Sequence, residues 1–263
     1  MEKMTIEIIA EISGCHGGNL ENAKKLIVEA HIAGATGVKF QCFQPERLAI
    51  KRAGHMRLRE NYEPTDEGGP THQLLKLYKQ THTPREWFPE LIGFAKEGGL
   101  TWHASVFDPD DVAFLETLNC PRYKISSFEA FDSMLIGAVC KTGKPLILSV
   151  NQSDDAFPPK YSQMTVLHAT YYAVPARAAN LVRLRQWAWA DKNFPGKQWR
   201  WGLSDHTTDH HAGDIAATYG ASMIEWHLRL PGVKTPDDAF SWTWQVFSMK
   251  TKRIRDIEEI LHG

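Results

Sequence analysis

A (β/α)8 (TIM) barrel, eight parallel strands with helices outside them, is the fold class this sequence predicts. Three observations point there. Strand-like and helix-like patterns alternate from end to end, which favours a parallel sheet covered by helices. Eight strand patterns can be counted, the number that closes such a barrel. The chain has 263 residues, 43% of them hydrophobic, enough for one large core and close to the ~250 residues typical of that barrel. One domain over residues 1–263 is expected, because no internal repeat, linker or low-complexity run interrupts the pattern.

The first strand is Ile6 to Ile12, followed by a helix from Glu21 to Ala33 with Leu26, Ile27 and Ala30 on its apolar face. Gly37 to Phe43 is the second strand. Residues 44–83 then form a connection far longer than usual. This long β2–α2 loop contains Arg52, His55, Arg57, Arg59 and Tyr62, a Gly-Gly-Pro turn and a short helix over Leu74 to Tyr78. An insertion at the carboxyl end of a barrel strand is either a substrate lid or simply a mobile loop. Pro84 to Gly98 is helical, with proline tolerated early and glycine closing the end. Leu100 to Phe107, Arg122 to Ser126 and Pro145 to Val150 are the third to fifth strands, separated by helices over Asp110 to Leu118 and Asp132 to Lys141. After the fifth strand, Asn151 to Gln163 with Pro158-Pro159 leaves room only for a short or absent fifth helix. Thr165 to Thr170 is the sixth strand, Ala178 to Ala190 a helix, and Trp201 to Asp205 the seventh strand. A helix over Ala212 to Tyr219 leads to the eighth strand, Ala221 to Leu228, and Trp242 to Leu261 is the last helix.

Composition excludes several classes. A formal net charge of −1 gives no electrostatic case for nucleic acid or an anionic membrane. No apolar run approaches the roughly 20 residues that span a bilayer. The start, MEKMTIEIIAEIS, runs directly into a strand pattern, so no signal peptide is expected. Cys15, Cys42, Cys120 and Cys140 show no CxxC spacing and are expected to be reduced thiols of a cytoplasmic protein. Cys15 and Cys42 fall just past strand ends and border whatever site lies there.

Barrel active sites are built where the strands end on the βα-loop side. The first strand end offers Glu11, Ser13, His16 and Asn19, and the second Lys39 and Gln41, which share a face. The third offers Ser105 and Asp108, and the fourth Lys124, Ser126, Ser127 and Glu129. The fifth offers Ser149 and Asn151, the sixth His168 and Thr170. Ser204, Asp205 and His206 end the seventh; Glu225 and His227 end the eighth. In a parallel sheet the last two ends are neighbours, so His206 and His227 can converge. They are either hydrogen-bonded strand-end histidines or two ligands of an open divalent-metal site. Lysine within an apolar strand needs an anionic partner. For Lys39 and Lys124 that is a salt bridge to Glu11, Glu129 or Glu225, or a bound phosphate and carboxylate, the preferred reading. A small, doubly anionic substrate beside a divalent metal fits the inventory, and phosphoenolpyruvate is one such molecule.

The segments IIAEISGCHGG, AKKLIVEAHIAGATGVKFQCF, YKISSFEA, GKPLILS, LHAT, GLSDHT and IEWH, with 21 positions from His206 to His227, resemble the catalytic barrel of the sialic acid synthase (N-acetylneuraminate synthase) family, which includes synthases of related nonulosonic acids. The resemblance implies a transferase that condenses phosphoenolpyruvate with an N-acetylated aldose, using Mn2+ or Mg2+. It implies His206 and His227 as metal ligands. Lys39, Ser105, Lys124, Ser127, Ser149 and Ser204 would hold phosphoenolpyruvate, Glu11 would be the acid/base carboxylate, and Gln41 and Asp237 would face the sugar. The expected partners are these small molecules, with a homo-oligomeric assembly and neither nucleic acid nor membrane. After the barrel no counterpart of the family's usual C-terminal antifreeze-like domain is expected, and Arg57 or Arg59 could replace its arginine. The sequence departs from the family at Gly14 to Gly17, Val150-Asn151 and Tyr171 to Pro175, which concern the acceptor sugar more than the reaction. A synthase acting on a sugar phosphate (deoxy-octulosonate phosphate synthase-like) and a degenerate, non-catalytic barrel that binds a sugar or anion are the alternatives.

Blander roles are expected elsewhere. The tryptophans at 187, 189, 199, 201, 242 and 244 pack helices on the barrel or make a dimer contact, in preference to a sugar platform. His210 and His211 begin a helix. Asp205 orients His206, and Lys250 to Arg255 form the solvated face of an amphipathic helix.

Overall fold

A computed structural model describes residues 5–60, 70–150, 164–169, 181, 184, 185 and 199–262. At 54–60, 70, 164–169, 199 and 262 it describes the backbone alone. The strands are β1 (Glu7–Glu11), β2 (Gly37–Cys42), β3 (Thr101–Val106), β4 (Tyr123–Ile125), β5 (Leu146–Val150), β6 (Met164–Ala169), β7 (Trp199–Asp205) and β8 (Met223–Leu228). Each pairs in parallel with its sequence neighbours, and β1 also pairs with β8, Glu11 lying opposite His227. The sheet therefore closes, as the strand count predicts. A two-residue β9 (Ser241–Trp242) adds to β8 at the mouth.

The helices are α1 (Leu20–Ile32), α2 (Pro45–Glu60), α3 (Pro70–Thr81), α4 (Phe88–Glu97), α5 (Pro109–Thr117), α6 (Ser133–Lys141), α7 (His211–Thr218) and α8 (Trp244–His262). Side-chain caps start several of them. Asn19 accepts from the Asn22 amide at 3.0 Å, and Asp132 accepts from the Leu135 amide at 3.0 Å. None of the described helices is long and apolar enough to cross a membrane.

Strand alternation separates two interiors. Ile8, Ala10 and Ile12, Val38 and Phe40, Leu146 and Leu148, and Ile224, Trp226 and Leu228 join one large cluster under the helices. The residues between them face the barrel axis, where Ile9, Ile147 and Met223 form a small separate plug. Two residues further along the same strands stand Glu11, Ser149 and Glu225. Period-two geometry thus lifts polar groups above an apolar floor. On the outer side, Gly213 lets α7 press on Trp226, because a Cβ there would meet the indole at 2.5 Å.

Some sequence expectations need correction. The β2–α4 connection is not mainly loop: α2 and α3 account for most of it, and α3 runs well beyond Leu74 to Tyr78. Helix α2 is hard to see because its only apolar marks are scattered among seven polar or charged positions between Arg47 and Glu60. Trp242 belongs to β9, and the last helix begins at Trp244. Residues 84–98 start with a single 3-10 turn before α4. The short or absent fifth helix, and most of the helix over 178–190, lie outside the described residues. Lys250 does not belong to a solvated face. It is 1% exposed, with its ammonium 4.8 Å and 4.4 Å from the Trp226 and Trp242 rings and 3.8 Å from Asp205.

Candidate active site

A cavity of about 760 Å³ opens at the carboxyl ends of the strands. Its lining includes Lys39, Gln41, Ser105, Lys124, Ser127, Ser149, Ser204, His206, Glu225, His227 and Asp237. Of the residues expected to form the site, only Glu11 is absent from this wall, and it lies just behind, bonded to Lys39 and Gln41. Inward-facing positions of neighbouring strand ends converge by barrel geometry alone, which is why residues so distant in sequence meet.

One wall of the cavity is an ion-pair network. Lys39 Nζ lies 2.6 Å from Glu11 and 3.0 Å from Glu225. Lys124 Nζ donates to both Glu225 oxygens at 2.7 Å and to Ser204 Oγ at 3.2 Å. Lys39 also donates to Ser105 Oγ at 3.3 Å. The salt-bridge partner for the strand lysines is therefore present, supplied by Glu11 and Glu225, while both ammonium groups still line the cavity. Burial favours neutral lysine, but the two carboxylates outweigh it at Lys39 and hold its pKa above the ordinary value. At Lys124 burial wins, helped by the like charge of Lys39 and opposed by Glu225, and its pKa falls to about 8. Glu225 is also desolvated, but the two ammonium groups hold it well below the usual carboxylate range.

Glu11 is fixed from three sides. It accepts from the Ser13 amide at 2.7 Å and from Gln41 Nε2 at 3.2 Å, besides Lys39. Ser13 Oγ in turn accepts from the Gln41 amide at 2.8 Å. Behind this turn His16 accepts from the Gly18 amide and contacts Thr83 Oγ1 at 3.1 Å. Burial, with a smaller contribution from His82, depresses the His16 pKa to about 4. Its role is to hold the β1–α1 turn.

The imidazoles stand just beyond this network at the same strand ends, His227 two residues after Glu225 on β8 and His206 two after Ser204. His206 and His227 have ring centroids 5.1 Å apart, and Phe240 packs against both. Burial, His227 and Lys124 lower the His206 pKa to about 3, leaving a neutral ring. His227 Nδ1 lies 3.2 Å from Asp237 Oδ2 and 4.0 Å from Cys15 Sγ. Asp205 does not orient the His206 ring, as the sequence suggested. Its oxygens accept from the Thr207 amide at 3.0 Å and Trp226 Nε1 at 2.9 Å, and Lys250 lies nearby. It fixes the backbone turn around His206 instead. The His227 imidazole, the Asp237 carboxylate and the Cys15 thiol converge within 4.8 Å, with the His206 ring beside them, a donor set suited to a divalent cation.

The rim comes partly from the insertion. Arg52 of α2 lies 2.7 Å from Glu129 and 4.2 Å from the Phe128 ring centroid, and Tyr78 of α3 also lines the cavity. Phe43, Leu48, Leu74, Leu77 and Phe131 add apolar surface. The side chains of Arg57 and Arg59, and those of Asn151, His168 and Thr170, lie outside the described residues. Ser149 Oγ, buried and facing the cavity, has no hydrogen-bond partner among the described residues. Sequence reasoning missed His103, which is buried beneath the lysines with neither ring nitrogen bonded among the described residues. Its inward parity with Ser105 was the available signal.

Residues 26–263 match the NeuB family. Pseudaminic acid synthase of Helicobacter pylori is 33% identical over 95% of this chain and 73% of its own length. N,N'-diacetyllegionaminic acid synthase of Legionella pneumophila is 29% identical, covering 98% of this chain and 74% of its own. The crystal structure of N-acetylneuraminic acid (sialic acid) synthetase from Leptospira borgpetersenii superimposes with a TM-score of 0.82 at 23% identity, covering 99% of this chain and 86% of that one, and establishes the shared fold.

Proposed function

The chain belongs to the NeuB family, and from that premise we propose that it condenses phosphoenolpyruvate with an N-acylated aldose to give a nonulosonic acid and phosphate. The observation that carries the reading is the pair of ammonium groups, Lys39 and Lys124, lining the same cavity as the two adjacent imidazoles of His206 and His227. Phosphoenolpyruvate has a phosphate and a carboxylate, and each can take an ammonium and one or two hydroxyls of Ser105, Ser127, Ser149 and Ser204. That the buried Ser149 hydroxyl has no hydrogen-bond partner among the described residues supports this use.

In this reading the enol carbon of phosphoenolpyruvate forms a carbon–carbon bond to the aldehyde carbon of the acceptor. Water then adds at the neighbouring carbon, and the bond to phosphate breaks. Glu11, held by Ser13, Gln41 and Lys39, is the carboxylate beside the reacting carbons that moves a proton. Gln41 and Asp237 would face the sugar. His206 and His227 would hold the divalent cation, Mn2+ or Mg2+ by family resemblance, with Asp237 beside them. Bound there, such an ion supplies Lewis-acid polarisation of the aldehyde oxygen. The remaining contribution of the protein is positioning and fixed charge.

An acceptor without phosphate fits the rim better than a sugar phosphate. Arg52, the one cation of the insertion in the described cavity lining, is already paired with Glu129 at 2.7 Å. The test is phosphate release from phosphoenolpyruvate with Mn2+ and a panel of N-acylated hexoses and sugar phosphates. Release with an unphosphorylated N-acylated sugar is expected. Release only with a sugar phosphate would move the protein to the other synthase class, and release with none, despite cation binding, would leave a non-catalytic barrel.

A further inference from the structure

The Cys15 thiol lies beside His227 and Asp237, although the family resemblance gives it no part in the site. It is wholly buried on the β1–α1 turn, with Sγ 4.0 Å from His227 Nδ1 and 3.8 Å from Ser241 Oγ. Ligand atoms of Cys15, His227 and Asp237 lie within 4.8 Å of one another, the one such three-residue group among the described residues. Metal–ligand bonds of about 2.0–2.3 Å at tetrahedral angles put ligand atoms roughly 3.4–3.6 Å apart. The separations of 3.2 Å for His227 to Asp237 and 4.0 Å for His227 to Cys15 bracket that spacing. Gly14 makes the approach possible. It has φ +79°, and a Cβ on it would meet Asp237 Oδ2 at 3.2 Å. Only a residue without a side chain brings this turn so close to Asp237.

We propose that Cys15 is a sulfur ligand of the cation site, completing a set with His227 and Asp237 beside the His206 ring, so that the site prefers a zinc-like or cobalt-like ion over Mg2+. The inference rests on the cation reading above and sharpens it. Thiolate is a soft ligand, selecting later transition ions, whereas Mg2+ takes hard oxygen donors in octahedral geometry. Binding is ligand exchange without redox change. A metal–water bond breaks, the sulfur–metal bond forms, and the thiol proton leaves to solvent. Without an ion, burial first, then Asp237 and Glu11, keep the thiol protonated, and an adjacent dication reverses that balance.

The test is titration of chelator-stripped protein with Co2+, in a C140S background that removes the exposed thiol. Cobalt d–d bands report an ion in the site, and a near-ultraviolet sulfur-to-cobalt charge-transfer band reports the thiolate. Both are expected in this protein. With C15S added, the charge-transfer band should vanish and Co2+ affinity should fall at least about tenfold, while Mg2+ affinity changes little. D237N should keep the charge-transfer band, which makes the assignment independent of whether C15S folds. Visible bands without charge transfer before Cys15 is changed would overturn the sulfur ligand and leave the cation site standing. Absence of both would overturn the site itself.

Discussion

The two walls of the cup are built on opposite principles. Along one, Lys39 and Lys124 are matched by Glu11 and Glu225, two positive charges against two negative, so this wall is nearly neutral before anything binds. Along the other, His227, Asp237 and Cys15 gather donors around a shared space beside the His206 ring, and no lysine or arginine pairs with Asp237 among the described residues. The first wall is finished by internal pairing and, on the proposed reading, would be a preorganised anion cradle. In that reading the second would be completed by a cation. A doubly anionic substrate would then find little net attraction from the lysines alone, and a cation held by the imidazoles would supply the missing positive charge.

Removing charge from the paired wall should cost the most. Glu225→Gln leaves Lys124 without its carboxylate in a buried position, and unfolding in denaturant should show a loss of about 3–5 kcal/mol. A loss below that of His206→Ala would break the contrast between the walls. On the other wall the loss should appear in binding instead. His206→Ala with His227→Ala should reduce Mn2+ uptake at least about a hundredfold by titration, two ligands being gone, with the circular dichroism spectrum retained. Undiminished uptake would place the cation elsewhere.

Lys250→Met probes the brace behind the imidazole wall. It leaves Asp205 buried beside Trp226 without its cation and should cost about 1–3 kcal/mol, measured as a lower denaturation midpoint. Lys250→Arg should recover part of it. The smallest expected effect is electrostatic tuning of the paired wall. Lys124, its pKa at about 8 chiefly through burial, is charged below that pH and loses its charge above it. Apparent kcat/KM for phosphoenolpyruvate should therefore fall above pH about 8, and Lys124→Arg should move that limb upward. An alkaline limb unmoved by Lys124→Arg would assign it to another group.

Much of this could be read from the chain because the barrel turns local pattern into geometry. Lys39 in GVKFQCF and Lys124 in RYKISS stand out because apolar strands rarely tolerate an unpaired ammonium, and strand parity places both on the axis. Period alone could not choose between an internal carboxylate and a bound anion, since Glu225 satisfies the same requirement. His206 and His227 were legible as neighbours from the βαβ unit between them. Cys15 was visible as a strand-end thiol, but its relation to Asp237 depends on two loops meeting across the mouth, which no periodicity encodes. Lys250 misled for a physical reason. On an amphipathic helix a cation is expected outward, and only the Trp226 and Trp242 faces with Asp205 make an inward one tolerable. Helix α2 hid because its polar residues are spread around it, and contact with Glu129 and Phe128 through Arg52 supplies what its own pattern lacks.

The division of labour between the walls can be measured directly by calorimetric titration of phosphoenolpyruvate into chelator-stripped protein, with and without saturating Co2+. If the lysine wall is already balanced by Glu11 and Glu225, the ion should tighten binding at least about tenfold, or 1.4 kcal/mol. Equal affinity in both titrations would mean that the lysines hold the substrate unaided, and that the two sides of the cup do not share its charge.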